Sequence, residues 1–188
     1  MSNALIIEHV GNAVVVTFNR PEQRSPLSVS VLEQLQIVVD DAVSSEKLIF
    51  TGVSDVFASG ADLREIANVT PETAREFSLR GQKLMQSVVD LKCRTIAAVN
   101  GYGFGGALDL SLACDIRIAS PGAEFSHPGA NLGIMTGWGG TQRLPRLVGE
   151  AAALEMFFTA KRVDANEAMR IGLIDMIAAD PLAAALAI

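Results

Sequence analysis

Three features of the 188-residue sequence predict an α/β fold. Short apolar runs of strand length alternate with longer stretches whose apolar residues recur at helical spacing. A strand-like run over 97–100 passes through four glycines in six residues, 101–106, into a helix apolar on nearly every side. A second glycine cluster follows at 133–141, so small-residue turns recur at strand–helix junctions. The length is that of one domain, residues 1–188, with ample chain for a core.

Composition narrows the class. Hydrophobic residues make up 49% of the chain, more than one small globule buries, and the surplus reads as a subunit interface. No uninterrupted apolar run approaches the roughly 20 residues of a membrane span. The N-terminus lacks a basic region followed by an apolar core, so no secretory signal is read. Cys93 and Cys114 make no disulfide framework; they read as buried small hydrophobes in a reduced, cytoplasmic setting. A net charge of −6 argues against nucleic acid and against general steering of anions. Two distant histidines and no cysteine pairing offer no metal-ligand spacing.

Taken in order, Leu5–Val10 and Ala13–Phe18 read as strands joined at Gly11-Asn12, a hairpin signal. Asn19-Arg20-Pro21 ends the second strand in a loop carrying Arg20 and Arg24. Ser28 caps a predicted helix with apolar positions Val31, Leu32, Leu35, Val38, Val39 and Val43. Residues 47–51 form a short buried strand, and 57–63 a small-residue turn into a short helix. Thr70-Pro71-Glu72 starts a helix running to about Leu91. Residues 95–99 are the strand feeding the glycine turn, with further strands at Ile116–Ala119 and Glu124–Ser126. Helices are predicted over 150–160 and, after an Asp164 cap, over 165–171. Residues 173–178 form a last strand or extended piece.

The glycine turn carries the chemistry. Glycines crowd a turn when the backbone takes positive φ or something approaches it closely. A helix opening there leaves its first N–H groups unpaired and backed by positive dipole potential. Such an end receives an anion, or an oxygen that becomes one during reaction. With a helix start near Gly105, Gly106 and Asp109 share a face, a backbone donor one turn from a carboxylate. Gly101, Gly103 and Gly106 also satisfy the G-x-G-x-x-G dinucleotide pattern, with Glu124 near the distance of a ribose-binding acid. That alternative explains only one of the three small-residue elements, at 57–63, 100–115 and 133–144.

All three together resemble the enoyl-CoA hydratase/isomerase (crotonase) family. The resemblance begins at Asn19-Arg20-Pro21 and runs through Phe57-x-x-Gly60-Ala61-Asp62-Leu63 and Asn100-Gly101-x-x-x-Gly105-Gly106. It continues through Ala113-Cys114-Asp115-Ile116-Arg117-Ile118-Ala119-Ser120 and closes with Gly139-Gly140-Thr141-Gln142-Arg143-Leu144. It implies a crotonase-like (ClpP/crotonase) spiral of ββα units, packed as a homotrimer or dimer of trimers. The family's C-terminal helical segment, which covers the acyl pocket, is expected to be short or missing, leaving that pocket more open.

The implied substrate is an acyl-CoA thioester, with coenzyme A part of the substrate and no separate cofactor. By position, the N–H groups of Ala61 and Gly106 hold the thioester oxygen as it becomes an enolate. Losing one such donor typically costs about 3–4 kcal/mol of transition-state stabilisation. Substrate contacts fall to Ala61, Asp62, Leu63, Gly105, Gly106 and Gly129, and Arg24 lies where the family receives CoA phosphates. Asp62 also reads as the cap of the short helix that follows it. Trp138 and Phe104 read as pocket wall or core.

The family's hydratases use two glutamates. Here the first position holds Asp109, the implied acid/base, and the second holds Gly129, with no side chain at all. Hydration needs a base for water and an acid for the α-carbon. His127, two residues before Gly129, is a candidate base, though a turn histidine is more often structural. Two functions therefore stand: oxyanion-stabilised enolate chemistry with Asp109, by hydratase, isomerase or decarboxylase, or a catalytically weak acyl-CoA binder.

Overall fold

The computed structural model describes residues 3–188. β1 (Leu5–Val10) and β2 (Ala13–Phe18) form the antiparallel hairpin that Gly11 predicts, with φ +59° at the glycine. β3 (Pro26–Leu27) precedes α1 (Val29–Asp41), capped by Ser28, whose hydroxyl accepts the Val31 N–H. Val31, Leu32, Leu35, Val38 and Val39 are buried as their spacing predicts, each full burial contributing about 1.5–3 kcal/mol. Val43 departs from the reading: α1 ends two residues earlier, and Val43 lies exposed in a 3-10 turn.

β4 (Lys47–Gly52), β7 (Arg94–Val99) and β9 (Ile116–Ala119) extend the hairpin as parallel strands, and β12 (Met176–Ile177) closes the sheet in the order β1-β2-β4-β7-β9-β12. A smaller sheet takes β5 (Val56–Ala58), β8 (Tyr102–Phe104), β10 (Glu124–Ser126) and β11 (Val163–Asp164) in the order β11-β10-β8-β5. Each turn of chain thus lays one strand in the large sheet and one in the small sheet before its helix: β4 and β5 before α2 (Leu63–Ile66) and α3 (Pro71–Asp90), β7 and β8 before α4 (Gly106–Ala113), β9 and β10 before α5 (Gly140–Val148). This is the expected spiral of ββα units. β6 (Gly60–Ala61) pairs with β3, so the 57–63 turn contains strands as well as the short helix.

Alternation along the central strands sorts residues to two faces. Val14, Val16, Leu48, Phe50, Ala97 and Val99 join the main core under α1, α3 and α4. Ala13, Val15, Ile49, Ile96, Ala98 and Ile118 face the other way, against Leu182, Ala185 and Leu186 of α8 (Pro181–Ala187). α6 (Glu150–Thr159) and α7 (Ala165–Arg170) complete the chain. No helix among the described residues is long and apolar enough to cross a membrane. Cys93 and Cys114 are buried thiols.

Two helices escaped the sequence reading. α5 opens on glycine and contains Pro145, residues that signal turns, and α8 follows an Asp180-Pro181 start whose cap was legible: Asp180 accepts the Ala183 N–H. β3, β6, β8 and β11 are too short for period-2 patterning and exist through pairing.

Candidate active site

Two small-residue turns meet at one cavity. Gly60 adopts φ +86°, and a Cβ there would stand 2.6 Å from the Gly106 nitrogen and from the Phe104 carbonyl oxygen. Only glycine lets β6 lie against the start of α4, which sets Ala61 beside the same cavity as Gly106. Gly105 caps α4 with φ +53° and donates its N–H to the Ser126 carbonyl at 2.9 Å. Gly106 opens the helix, so its N–H is among the first-turn donors without an intrahelical acceptor.

Asp109 lies within the first turn of α4 and is fully buried. The Thr136 hydroxyl donates to its Oδ2, and the Trp138 backbone N–H also favours the charged form. Among the described residues Oδ1 has no hydrogen-bond partner. A Cβ on Gly140 would lie 2.1 Å from Oδ1, so the glycine at the start of α5 makes room for the carboxyl. Burial pushes Asp109 up to about 7, against the opposing pull of Thr136, the Arg143 charge and Trp138.

His127 follows β10 and is 3% exposed. Its Nε2 stands 3.5 Å from Asp109 Oδ1 and is likewise unpartnered, while its ring lies 5.2 Å from that of Phe157. Burial lowers its pKa to about 4, so the imidazole is neutral at neutral pH.

The cavity, of about 230 Å³, is walled by apolar side chains including Leu63, Phe77, Ile134, Met135, Trp138 and Phe157. The Trp138 indole is held between helices: a Cβ on Gly81 of α3 or on Gly106 of α4 would approach it to 2.2 Å. Phe77 packs 6.0 Å from it, ring to ring. Gly129 is closed in a different way. A Cβ there would stand 2.4 Å from the Ile134 carbonyl oxygen, and the Ile134 N–H donates to the Gly129 carbonyl at 3.0 Å.

Of the residues anticipated from sequence, Ala61, Leu63, Gly105, Gly106, Asp109, His127 and Gly129 line this cavity. Asp62 and Arg24 are not in its lining. Asp62 caps α2 by accepting the Arg64 N–H at 2.9 Å and pairs with the Arg64 guanidinium at 2.6 Å. Arg24 is exposed at the end of a 3-10 turn, with φ 61°. Phe104 is absent from the lining too; it packs on Tyr102 and under the Arg162 guanidinium. Thr136 and Gly140 were missed. Both stand in the second glycine cluster, where one hydroxyl among small residues was the available signal.

Comparison with known proteins follows the same outline. The enoyl-CoA hydratase/isomerase family profile matches residues 8–184. The short-chain-enoyl-CoA hydratase of Clostridium acetobutylicum is 38% identical over 93% of this chain and 69% of its own length. The crotonyl-CoA hydratase of Syntrophomonas wolfei is 40% identical over 92% of this chain and 68% of its own. The structure of Pseudomonas aeruginosa DspI superposes with a TM-score of 0.93 at 35% identity, covering 99% of this chain and 78% of that one.

Proposed function

Because the chain belongs to the enoyl-CoA hydratase/isomerase family, we propose that it binds an acyl-CoA thioester in the cavity beside α4 and stabilises an enolate there. The backbone N–H groups of Ala61 and Gly106 receive the thioester oxygen, and Asp109 moves the proton at the α-carbon. The observation that carries this reading is the juxtaposition at one apolar cavity of a helix-opening amide, a second small-residue turn and a buried carboxyl. Donors fixed in a desolvated site act on developing charge without reorganising, which is where such stabilisation is largest. A carboxyl whose pKa is near 7 both gives and takes a proton at neutral pH.

The cavity wall favours an uncharged hydrocarbon acyl group, since among the described residues its only ionisable side chains are Asp109 and His127. Hydration of a short enoyl-CoA is the reaction we favour, because the two relatives named above are short-chain and crotonyl-CoA hydratases. Arg24 and the backbone of Asp62 contact the CoA portion. Assembly as a homotrimer or dimer of trimers in the cytoplasm accompanies this reading, supported by Leu154 and Phe158 of α6, which stand 51% and 70% exposed one turn apart. Gly129 favours the second reading, an acyl-CoA binder without turnover.

The test is turnover of crotonyl-CoA, followed by loss of its conjugated thioester absorbance, with Asp109→Ala alongside. Loss that disappears in the variant supports the enzyme. Saturable binding without turnover, on crotonyl-CoA and on isomerase and decarboxylase substrates, supports the binder.

A further inference from the structure

We propose that His127 is the second catalytic group of this site, so that an Asp109–His127 pair does the work for which two carboxylates would otherwise be needed. The inference rests on the acyl-CoA reading above and extends it to the water-activating step. Three observations carry it. Asp109 Oδ1 and His127 Nε2 are both buried and both without a hydrogen-bond partner, yet lie 3.5 Å apart at one cavity. Buried polar atoms are almost always paired, so two unpaired ones side by side call for an explanation. At 3.5 Å nothing fits between the two atoms, but a water oxygen standing beside them is within hydrogen-bond reach of both.

The second observation is that no carboxylate can occupy position 129 in this backbone. Any side chain there meets the Ile134 carbonyl oxygen at 2.4 Å at its first carbon. The third is that glycine leaves the room at the carboxyl: a Cβ on Gly140 would fall 2.1 Å from Oδ1. The burial that raises the Asp109 pKa and lowers that of His127 fits a resting pair of carboxylic acid and neutral imidazole.

The step balances without any further reagent. A water oxygen bonds to the β-carbon of the enoyl thioester, and the proton it sheds goes to His127 Nε2. The carbon–carbon π pair moves toward the thioester oxygen as an enolate held by the amides of Ala61 and Gly106. The enolate pair then takes the Asp109 proton at the α-carbon, giving the 3-hydroxyacyl thioester. Imidazolium returns its proton to the Asp109 carboxylate across the short gap, and the pair is reset.

Two readouts on one variant separate the roles. In His127→Gln, hydration of crotonyl-CoA should fall by about 10²–10⁴-fold, the usual worth of a positioned general base. Exchange of the α-hydrogens of butyryl-CoA with deuterated water, which involves no attacking water and so no base for one, should fall at least about ten-fold less than hydration does. Asp109→Asn should lose both. A His127→Gln protein that hydrates at the wild-type rate overturns the pair and leaves the acyl-CoA reading standing. Wild type that neither hydrates nor exchanges overturns both. Loss of hydration and exchange together in folded His127→Gln makes the histidine structural and overturns its role as base. Should His127→Gln fail to fold, ¹⁵N spectroscopy of wild type bound to 3-hydroxybutyryl-CoA decides. The product hydroxyl donating to Nε2 shifts that nitrogen; an unmoved resonance overturns the proposal.

Discussion

His127 Nε2 and Asp109 Oδ1 face each other at 3.5 Å inside the protein, each without a hydrogen-bond partner among the described residues. Their burial acts on the two groups in opposite senses. Desolvation disfavours the charged form of each, raising the carboxyl to about 7 and lowering the imidazole to about 4.

Stability should therefore depend on pH in a way that separates the two residues. Between 3.8 and about 7 the folded protein holds a proton on Asp109 that the unfolded chain has released, so this term weakens folding as pH rises. Between about 4 and 6.5 the unfolded chain holds a proton on His127 that the folded protein lacks, so this term strengthens folding as pH rises. The two oppose each other in wild type. Asp109→Asn removes the carboxyl term, so its stability measured by urea unfolding should rise relative to wild type by on the order of 3 kcal/mol from pH 4 to 6.5. Parallel pH profiles for the two proteins would contradict this account of the pair.

Restoring a glutamate at position 129 should fail. Gly129→Glu forces its Cβ into the Ile134 carbonyl, and backbone cannot yield there as a flexible side chain can. The variant should unfold at lower urea and hydrate crotonyl-CoA no faster than wild type. Faster hydration with unchanged stability would show that the 129–134 turn opens readily.

Trp138 allows the oxyanion turn to be tested apart from packing. Alanine at Gly81 and alanine at Gly106 each push on the indole from 2.2 Å. Both should lower the melting temperature, but only Gly106→Ala disturbs an amide assigned to the thioester oxygen. Alanine keeps the N–H but shifts it, so kcat should fall clearly for Gly106→Ala, by at most the roughly 10²–10³-fold of losing one such donor outright, with a much smaller change for Gly81→Ala. Equal losses would assign the effect to the indole. Trp138→Ala should destabilise by about 3–5 kcal/mol, the cost of emptying a large buried aromatic.

What sequence made legible was whatever rested on local pattern. Ser28 and Thr70-Pro71 mark helix starts, the 31–39 spacing marks a buried face, and Gly105-Gly106 before an apolar helix marks a site. What stayed hidden depended on partners distant in sequence. The Asp109–Thr136 hydrogen bond joins α4 to the loop before α5, and Gly140 matters only because Asp109 points at it. His127 was visible as a candidate, but its meeting with Asp109 was not. Two glycine residues and Pro145 disguised α5, whose packing against α4 overrides their turn preference.

The difference absorption spectrum of crotonyl-CoA bound to Asp109→Asn tests the central claim most directly, since binding persists without proton transfer at the α-carbon. Two amides holding the thioester oxygen draw charge onto it, and the conjugated band should move to longer wavelength on binding. The further substitution Gly106→Ala, which displaces one of the two amides against the indole, should reduce that shift. A band unmoved in saturated Asp109→Asn would contradict the assignment of Ala61 and Gly106 to the thioester oxygen, and with it the enolate chemistry proposed for this cavity.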